Sequence, residues 1–165
     1  MKKVKIMMLA ILALGIVLGM VPSAAYAGIP QEKGKFAIGI AAAFPVAGLS
    51  AKYWFSDKVG GQAVAGLSGG LSMYGGRVLF KFKEEENYYL YGAVLVGNWS
   101  YKWDYGRPGS GSESVFGYGL AGGFEYFPKF IPSLGLALEI GYGAVNLEYY
   151  NYQALSAGIG IHYYF

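Results

Sequence analysis

Few residues of this sequence could do acid, base or ionic chemistry from inside a folded core. They are Lys52, Arg77, Lys81, Lys102, Glu125, Glu139 and His162, each embedded in an alternating run of small and bulky residues. Their simplest chemistry is mutual pairing, because buried charges must be paired and hydrogen-bonded. Arg77 or Lys52 would stand opposite Glu139, with Lys81 nearer Glu125. The same set could instead line a narrow charged permeation path. Acyl transfer needs a nucleophile or water, a base and an orienting acid. His162, the sole histidine, sits in "GIHYYF" as the one candidate base, and an inward or rim position without catalysis is the plainer reading of it.

Other chemistries find little support. The chain has no cysteine, hence no disulfide and no thiolate metal site. The acids of "KEEEN" are consecutive on a short turn, so they do not converge on a cation and read as a solvated turn. "YGGR" and "GSGSES" carry glycines without the lysine or the strand-to-helix context of a phosphate loop. No metal and no cofactor are expected.

The elements that position these residues have a period of two. At the carboxy end, "LSAGIGIHYYF" places Leu155, Ala157, Ile159, Ile161, Tyr163 and Phe165 on one face and small or polar residues on the other. Counting back by alternation and turn signals gives eight strands from Lys35 onward. The first puts Phe36, Ile38, Ile40 and Phe44 on its bulky face. The second sets Leu49, Tyr53 and Phe55 against Ser50, Lys52 and Trp54. The third, about Val59 to Ser68, is Gly-rich and ambiguous in facing. The fourth opposes Tyr74, Val78, Phe80 and Phe82 to Arg77, Leu79 and Lys81. In the fifth, Tyr89, Tyr91, Leu95, Trp99, Tyr101 and Trp103 alternate with Leu90, Val94, Val96 and Lys102. The sixth and seventh alternate bulky residues with Gly, Ala, Glu125 and Glu139.

The first 27 residues are of another kind. Lys2, Lys3 and Lys5 precede an apolar run from Ile6 to Val21 and a small-x-small site at Ala25-Tyr26-Ala27. This is the pattern of a cleaved secretory signal peptide, and the run is shorter than the roughly 20 residues of a spanning helix. The domain reading is therefore residues 1–27 signal, 28–34 a polar lead-in, and 35–165 one folded unit. Removing three of the 13 Lys and Arg leaves 10 against 10 Asp and Glu. The basic balance thus gives no reason to expect nucleic acid as a partner.

Volume decides which face is outside. Strands six to eight alone carry 15 large apolar residues on the bulky face, and the interior of an eight-stranded barrel is only just wide enough to be filled by side chains. The opposite face, mostly Gly, Ala and Ser, is too poor in charge to be a water-soluble surface. The bulky face must point outward into lipid. An open sheet edge in hydrocarbon would leave unpaired N–H and C=O groups at several kcal/mol each, so the sheet must close. The fold class expected is all-β: an eight-stranded antiparallel up-and-down transmembrane β-barrel. Tyr89 with Tyr91, and Trp99 with Tyr101 and Trp103, are expected as the two aromatic girdles along the fifth strand.

The final strand, with Ile159, Ile161, Tyr163 and terminal Phe165, resembles the carboxy-terminal signal that bacterial outer-membrane proteins present to their barrel-assembly machinery. "KYWFSDKVGGQAVAG" resembles the strand, turn, strand unit of small OmpA/OmpX-type barrels. The resemblance implies outer-membrane lipid and the assembly machinery as partners, both chain termini in the periplasm, and a monomer. It places "PVAG", Gly69-Gly70, "DYGRPGSGSES" and "NLEYYNY" outside the cell and "SDK", "KEEEN" and "PKFIPS" in the periplasm. It also implies a structural or surface-interaction role, with an unidentified surface ligand, ahead of a small porin-like channel. Some barrels of this kind modify lipid A, a third reading. It is disfavoured because His162 lacks the nearby serine of lipid A deacylases and should lie at the periplasmic end, so no enzyme is expected. No cell-wall-binding domain is expected after Phe165.

Overall fold

The computed structural model describes residues 35–43, 46–104, 110–146 and 151–165. The signal and lead-in segments and Phe44 lie outside the described residues. Eight strands run in chain order: β1 Phe36–Ala43, β2 Val46–Trp54, β3 Val59–Ser68, β4 Leu71–Glu85, β5 Tyr88–Asp104, β6 Ser110–Tyr126, β7 Leu134–Asn146 and β8 Asn151–Tyr164. Each pairs antiparallel with its neighbour, and β1 closes on β8 from Ala37↔Tyr164 to Ala43↔Gly158. The sheet has no free edge, as a backbone surrounded by hydrocarbon requires.

Turns are shorter than the sequence pattern implies. Val46, Ala47 and Gly48 of "PVAG" belong to β2, and Asp104 and Ser110 to Ser114 of "DYGRPGSGSES" are paired strand, with Ser110↔Asp104 through Ser114↔Ser100 extending the β5–β6 hairpin; the rest of both stretches lies outside the described residues. Polar residues in a paired ladder look like a loop in sequence because their side chains, unlike their backbones, have nothing apolar to cover. Between β3 and β4 the pair Ser68↔Leu71 leaves Gly69 and Gly70 at the tip. Their φ values of 54° and 93° are those of a type I′ hairpin turn, whose twist matches the flanking strands and which glycine reaches without a Cβ penalty.

The outer surface carries the bulky faces of six strands, β1, β2, β4, β6, β7 and β8. Ile38, Ile40, Leu49, Val78, Leu120, Leu138, Ile140 and Ile159 are all exposed and form a continuous apolar belt. Lipid is the solvent that suits it. Aromatic residues flank the belt. At the end carrying Phe36 and Phe165, exposed Tyr53, Phe55 and Tyr126 join them, and Phe36 stacks on Phe165 with ring centroids 5.9 Å apart. At the other end stand exposed Tyr74, Phe116, Tyr118 and Tyr142.

These girdles are not the ones the sequence pattern suggests. On β5 the facing is reversed: Tyr89, Tyr91 and Trp99 are buried inside, whereas Val94 and Val96 are exposed to the outside. Tyr101 and Trp103 share the inward face with Trp99, and Lys102 shares the outward face with Val94 and is exposed. The cause is a bulge in the β4–β5 hairpin. Glu85↔Tyr88 and Lys83↔Leu90 follow one register, and Lys81↔Tyr91 through Leu71↔Tyr101 follow another, shifted by one residue at Phe82. One extra residue flips every following side chain to the other face. Without it, inward-facing Arg77 would stand beside Val96; with it, the partner is Leu95. Val94 therefore belongs to the lipid belt, and Val94→Arg should destabilise the barrel by about 2–4 kcal/mol near mid-membrane. Denaturant unfolding in lipid vesicles measures this, and a neutral substitution would return β5 to the opposite facing.

Candidate lumen site

Alternation sends Ser50, Lys52 and Trp54 of β2 into the barrel beside Gly60, Gln62 and Val64 of β3. Arg77 and Leu79 of β4 and Tyr89 and Tyr91 of β5 face them, with Glu125 of β6, Glu139 of β7 and His162 and Tyr164 of β8 completing the ring. Long strands on a closed cylinder thus collect nearly all the inward polar groups at a few levels. Small residues make the room: an added Cβ at Gly123 would strike the Tyr91 ring, and one at Gly135 would strike Glu125 Oε1.

Glu125, 0 % exposed, is the centre of the lower cluster. Its Oε2 accepts from Lys52 Nζ at 2.7 Å, from the Tyr89 hydroxyl, and from the Tyr164 hydroxyl at 3.1 Å. The two tyrosine hydroxyls also meet each other at 2.6 Å. Oε1 lies 3.3 Å from His162 Nδ1, and His162 Nε2 lies 2.9 Å from Ser50 Oγ. Gln62 Nε2 donates to the same Ser50 oxygen at 2.6 Å. Ser50 Oγ thus links Gln62 of β3 to His162 of β8 in one polar chain beside Glu125.

A second cluster is built on Glu139, which accepts from Arg77 Nη2 at 2.9 Å and from the Tyr91 hydroxyl. The pairing choice left open by the sequence is thereby made: Arg77 takes Glu139 and Lys52 takes Glu125. Lys81 is not the partner of Glu125. It pairs with Glu84 at 3.1 Å and lies over the rings of Trp54 and Tyr89, at 4.4 and 4.9 Å from their centroids. Lys102 takes no part, because the bulge at Phe82 of β4 leaves it facing outward. Of the remaining expected positions, Ile159, Ile161 and Phe165 lie exposed on the outer face of β8, with Tyr163 between them on the same face.

The girdle tyrosines of the sequence pattern are thus network members, since a buried phenol hydroxyl needs a partner and Glu125 and Glu139 supply one. Ser50, Gln62 and Tyr164 are members that sequence reasoning passed over. Their one signal was sharing strand parity with Lys52 or His162. Around the polar groups, Trp54, Leu79, Tyr89, Tyr91, Phe127 and Tyr164 form an apolar plug at the end that holds Phe165. Leu71, Met73, Trp99 and Val145 pack a second cluster towards the other end. Between them lies a cavity of ≈ 130 Å³ lined by Gln62, Arg77, Glu139 and His162 among other residues. Among the described residues no group of acids and histidines could hold a metal ion.

The order Ser50, His162, Glu125 is that of a nucleophile, a base and an acid. Its setting works against that chemistry. Ser50 is 3 % exposed, its oxygen is engaged by Gln62, and the acid is already neutralised by Lys52.

Against known proteins, no family model and no curated sequence matches this chain. Solved structures do. The N-terminal β-barrel domain of Pseudomonas aeruginosa OprF superposes with a TM-score of 0.64 at 13 % identity, covering 81 % of this chain and 100 % of that one. The chain has the fold of an eight-stranded outer-membrane β-barrel. Ail, the attachment invasion locus protein of Yersinia pestis, gives 0.55 at 18 % identity, covering 81 % and 100 %. A de novo designed transmembrane β-barrel gives 0.51 at 16 %, covering 83 % and 100 %. That a designed barrel superposes too shows the likeness to be one of architecture.

The two ion pairs differ in burial, at 1 % and 0 % side-chain exposure for Lys52 and Glu125 and 9 % and 13 % for Arg77 and Glu139. Glu125→Leu strands a buried ammonium and should cost about 3–5 kcal/mol, with partial recovery in Lys52→Met/Glu125→Leu. Arg77→Ala should cost less and also be relieved by Glu139→Ala. Guanidinium unfolding in lipid reads both cycles; additive double variants would show that neither pair is coupled.

Proposed function

We propose that this protein is a non-enzymatic barrel of the outer membrane of a Gram-negative-type cell, with a structural or surface-interaction role. The observation that carries the reading is the filled lumen. Trp54, Tyr89, Tyr91, Phe127 and Tyr164 occupy one end, and Lys52–Glu125 and Arg77–Glu139 span the section above them. A lumen so occupied supports the wall rather than conducting through it, which leaves the outward-facing hairpin ends as the parts able to meet a partner. The exposed apolar belt supports membrane residence. The name of one structural neighbour, an attachment invasion locus protein, is in keeping with a surface role.

In this reading both chain termini of the barrel domain lie in the periplasm, and the outer aromatic face of β8, continued by Phe165, is what the assembly machinery reads. The long β5–β6 hairpin, which rises beyond the β6–β7 pairing that ends at Tyr118↔Ala144, is then the main surface projection.

Three measurements test this. Ser112→Cys should react with a membrane-impermeant thiol reagent on intact cells, and Glu85→Cys should not; the reverse result inverts the topology. Deleting Phe165 should lower the yield of heat-modifiable barrel in the membrane while export continues, and unchanged insertion would remove the assembly role. The purified protein should be silent in a planar bilayer. Steady single-channel current that changes with Arg77→Ala would instead make it a small channel.

A further inference from the structure

Among the described residues five buried side-chain polar atoms have no hydrogen-bond partner in the protein, and two of them belong to Gln62 and Arg77. Gln62 and Arg77 are directly opposed across the β3–β4 pair, on the same inward face. Both line the ≈ 130 Å³ cavity. Each is drawn away from the other by its own partner. Gln62 Nε2 reaches sideways to Ser50 on β2, which leaves Oε1 unpaired. Arg77 Nη2 reaches across the lumen to Glu139 on β7, which leaves Nε unpaired. Gln62 is 3 % exposed and the Arg77 side chain 9 %. An acceptor and a donor, on directly opposed residues, thus both belong to the wall of a cavity whose lining also includes Val64, Met73, Leu95 and Trp99.

We propose that this cavity is a binding site for a small neutral amphiphile with an apolar body about the size of one aromatic ring and one hydroxyl-type group. The hydroxyl donates to Gln62 Oε1 and accepts from Arg77 Nε, the pairing that two adjacent unsatisfied groups of opposite kind call for. The apolar body packs on Met73, Leu95 and Trp99. Size follows from volume, since a cavity of roughly 150 Å³ lined by apolar side chains holds benzene. A neutral ligand fits because Arg77 and Glu139 already neutralise each other at this wall and leave no unpaired charge to meet a charged one. Mostly apolar walls with a few convergent polar groups are the general form of a small-molecule site.

The test uses phenol and benzene against the membrane-extracted protein in detergent. The reporter is the ¹³C-methyl group of Met73, the sole methionine among the described residues. Phenol should shift this signal saturably and bind about tenfold more tightly than benzene, the worth of the hydroxyl's pairing. Gln62→Leu should bring phenol down to the level of benzene, and Ala121→Leu, which adds bulk at the cavity wall, should abolish both shifts. Heat-modifiable mobility shows that each variant is folded, and the phenol–benzene comparison in the unmodified protein stands without any variant. A shift that does not saturate, equal binding of the two probes, or a phenol preference that survives Gln62→Leu would overturn the proposal.

Discussion

Backbone groups in hydrocarbon have no water to bond to, and the rest of this structure depends on satisfying them. Eight strands close through β1 and β8, so that every strand has a partner on both sides. Closure then dictates two surfaces with opposite needs. Outside, bulky apolar residues meet lipid. Inside, a cylinder of small circumference must be filled without voids or stranded charges. Gly and Ala at inward positions are the means, because each one leaves space for a large side chain from across the lumen.

The polar interior follows from that packing problem. Large inward residues come chiefly from β2, β4, β5 and β8, and the glycines that accommodate them come chiefly from β6 and β7. Tyr91 lies against Gly123, and Glu125 lies against Gly135. Once tyrosines are inside, their hydroxyls need acceptors, and Glu125 and Glu139 supply them. The carboxylates in turn need cations, which Lys52 and Arg77 provide. Removing any one member exposes the others to desolvation without compensation. Such a network favours one register of the barrel over its neighbours, since a one-residue slip would send Lys52 or Arg77 into lipid. Among the described residues the network is incomplete at a few atoms, and those of Gln62 and Arg77 lie on residues that line the cavity.

Much of the architecture is legible without coordinates. Alternation in β1, β2, β4, β6, β7 and β8 tells inside from outside because one set of residues is large and apolar and the other small or charged. The contrast fails in β3, where Gly60, Gln62, Val64 and Gly66 oppose Gly61, Ala63 and Ala65, and neither set is plainly the lipid face. It misleads in β5, where the larger residues go inward. Size alone is a poor guide there, because Tyr and Trp suit both a membrane interface and a lumen that offers acceptors.

What the sequence determines by itself is the solvent of each face, and hence the closed barrel: too many bulky residues share one side to fit within eight strands. Tertiary structure alone decides which residues meet across the lumen. That depends on the register of every hairpin, and register is set by features a period-two pattern does not record. The Gly69-Gly70 turn is visible in sequence, but the extra residue at Phe82 is not, and it alone turns Tyr89 and Tyr91 inward and Lys102 outward. The choice of Lys52 for Glu125 and Arg77 for Glu139 is likewise made by relative strand height. The physical reason is that alternation is a local property of each strand, whereas facing across a closed sheet accumulates every shift along the chain.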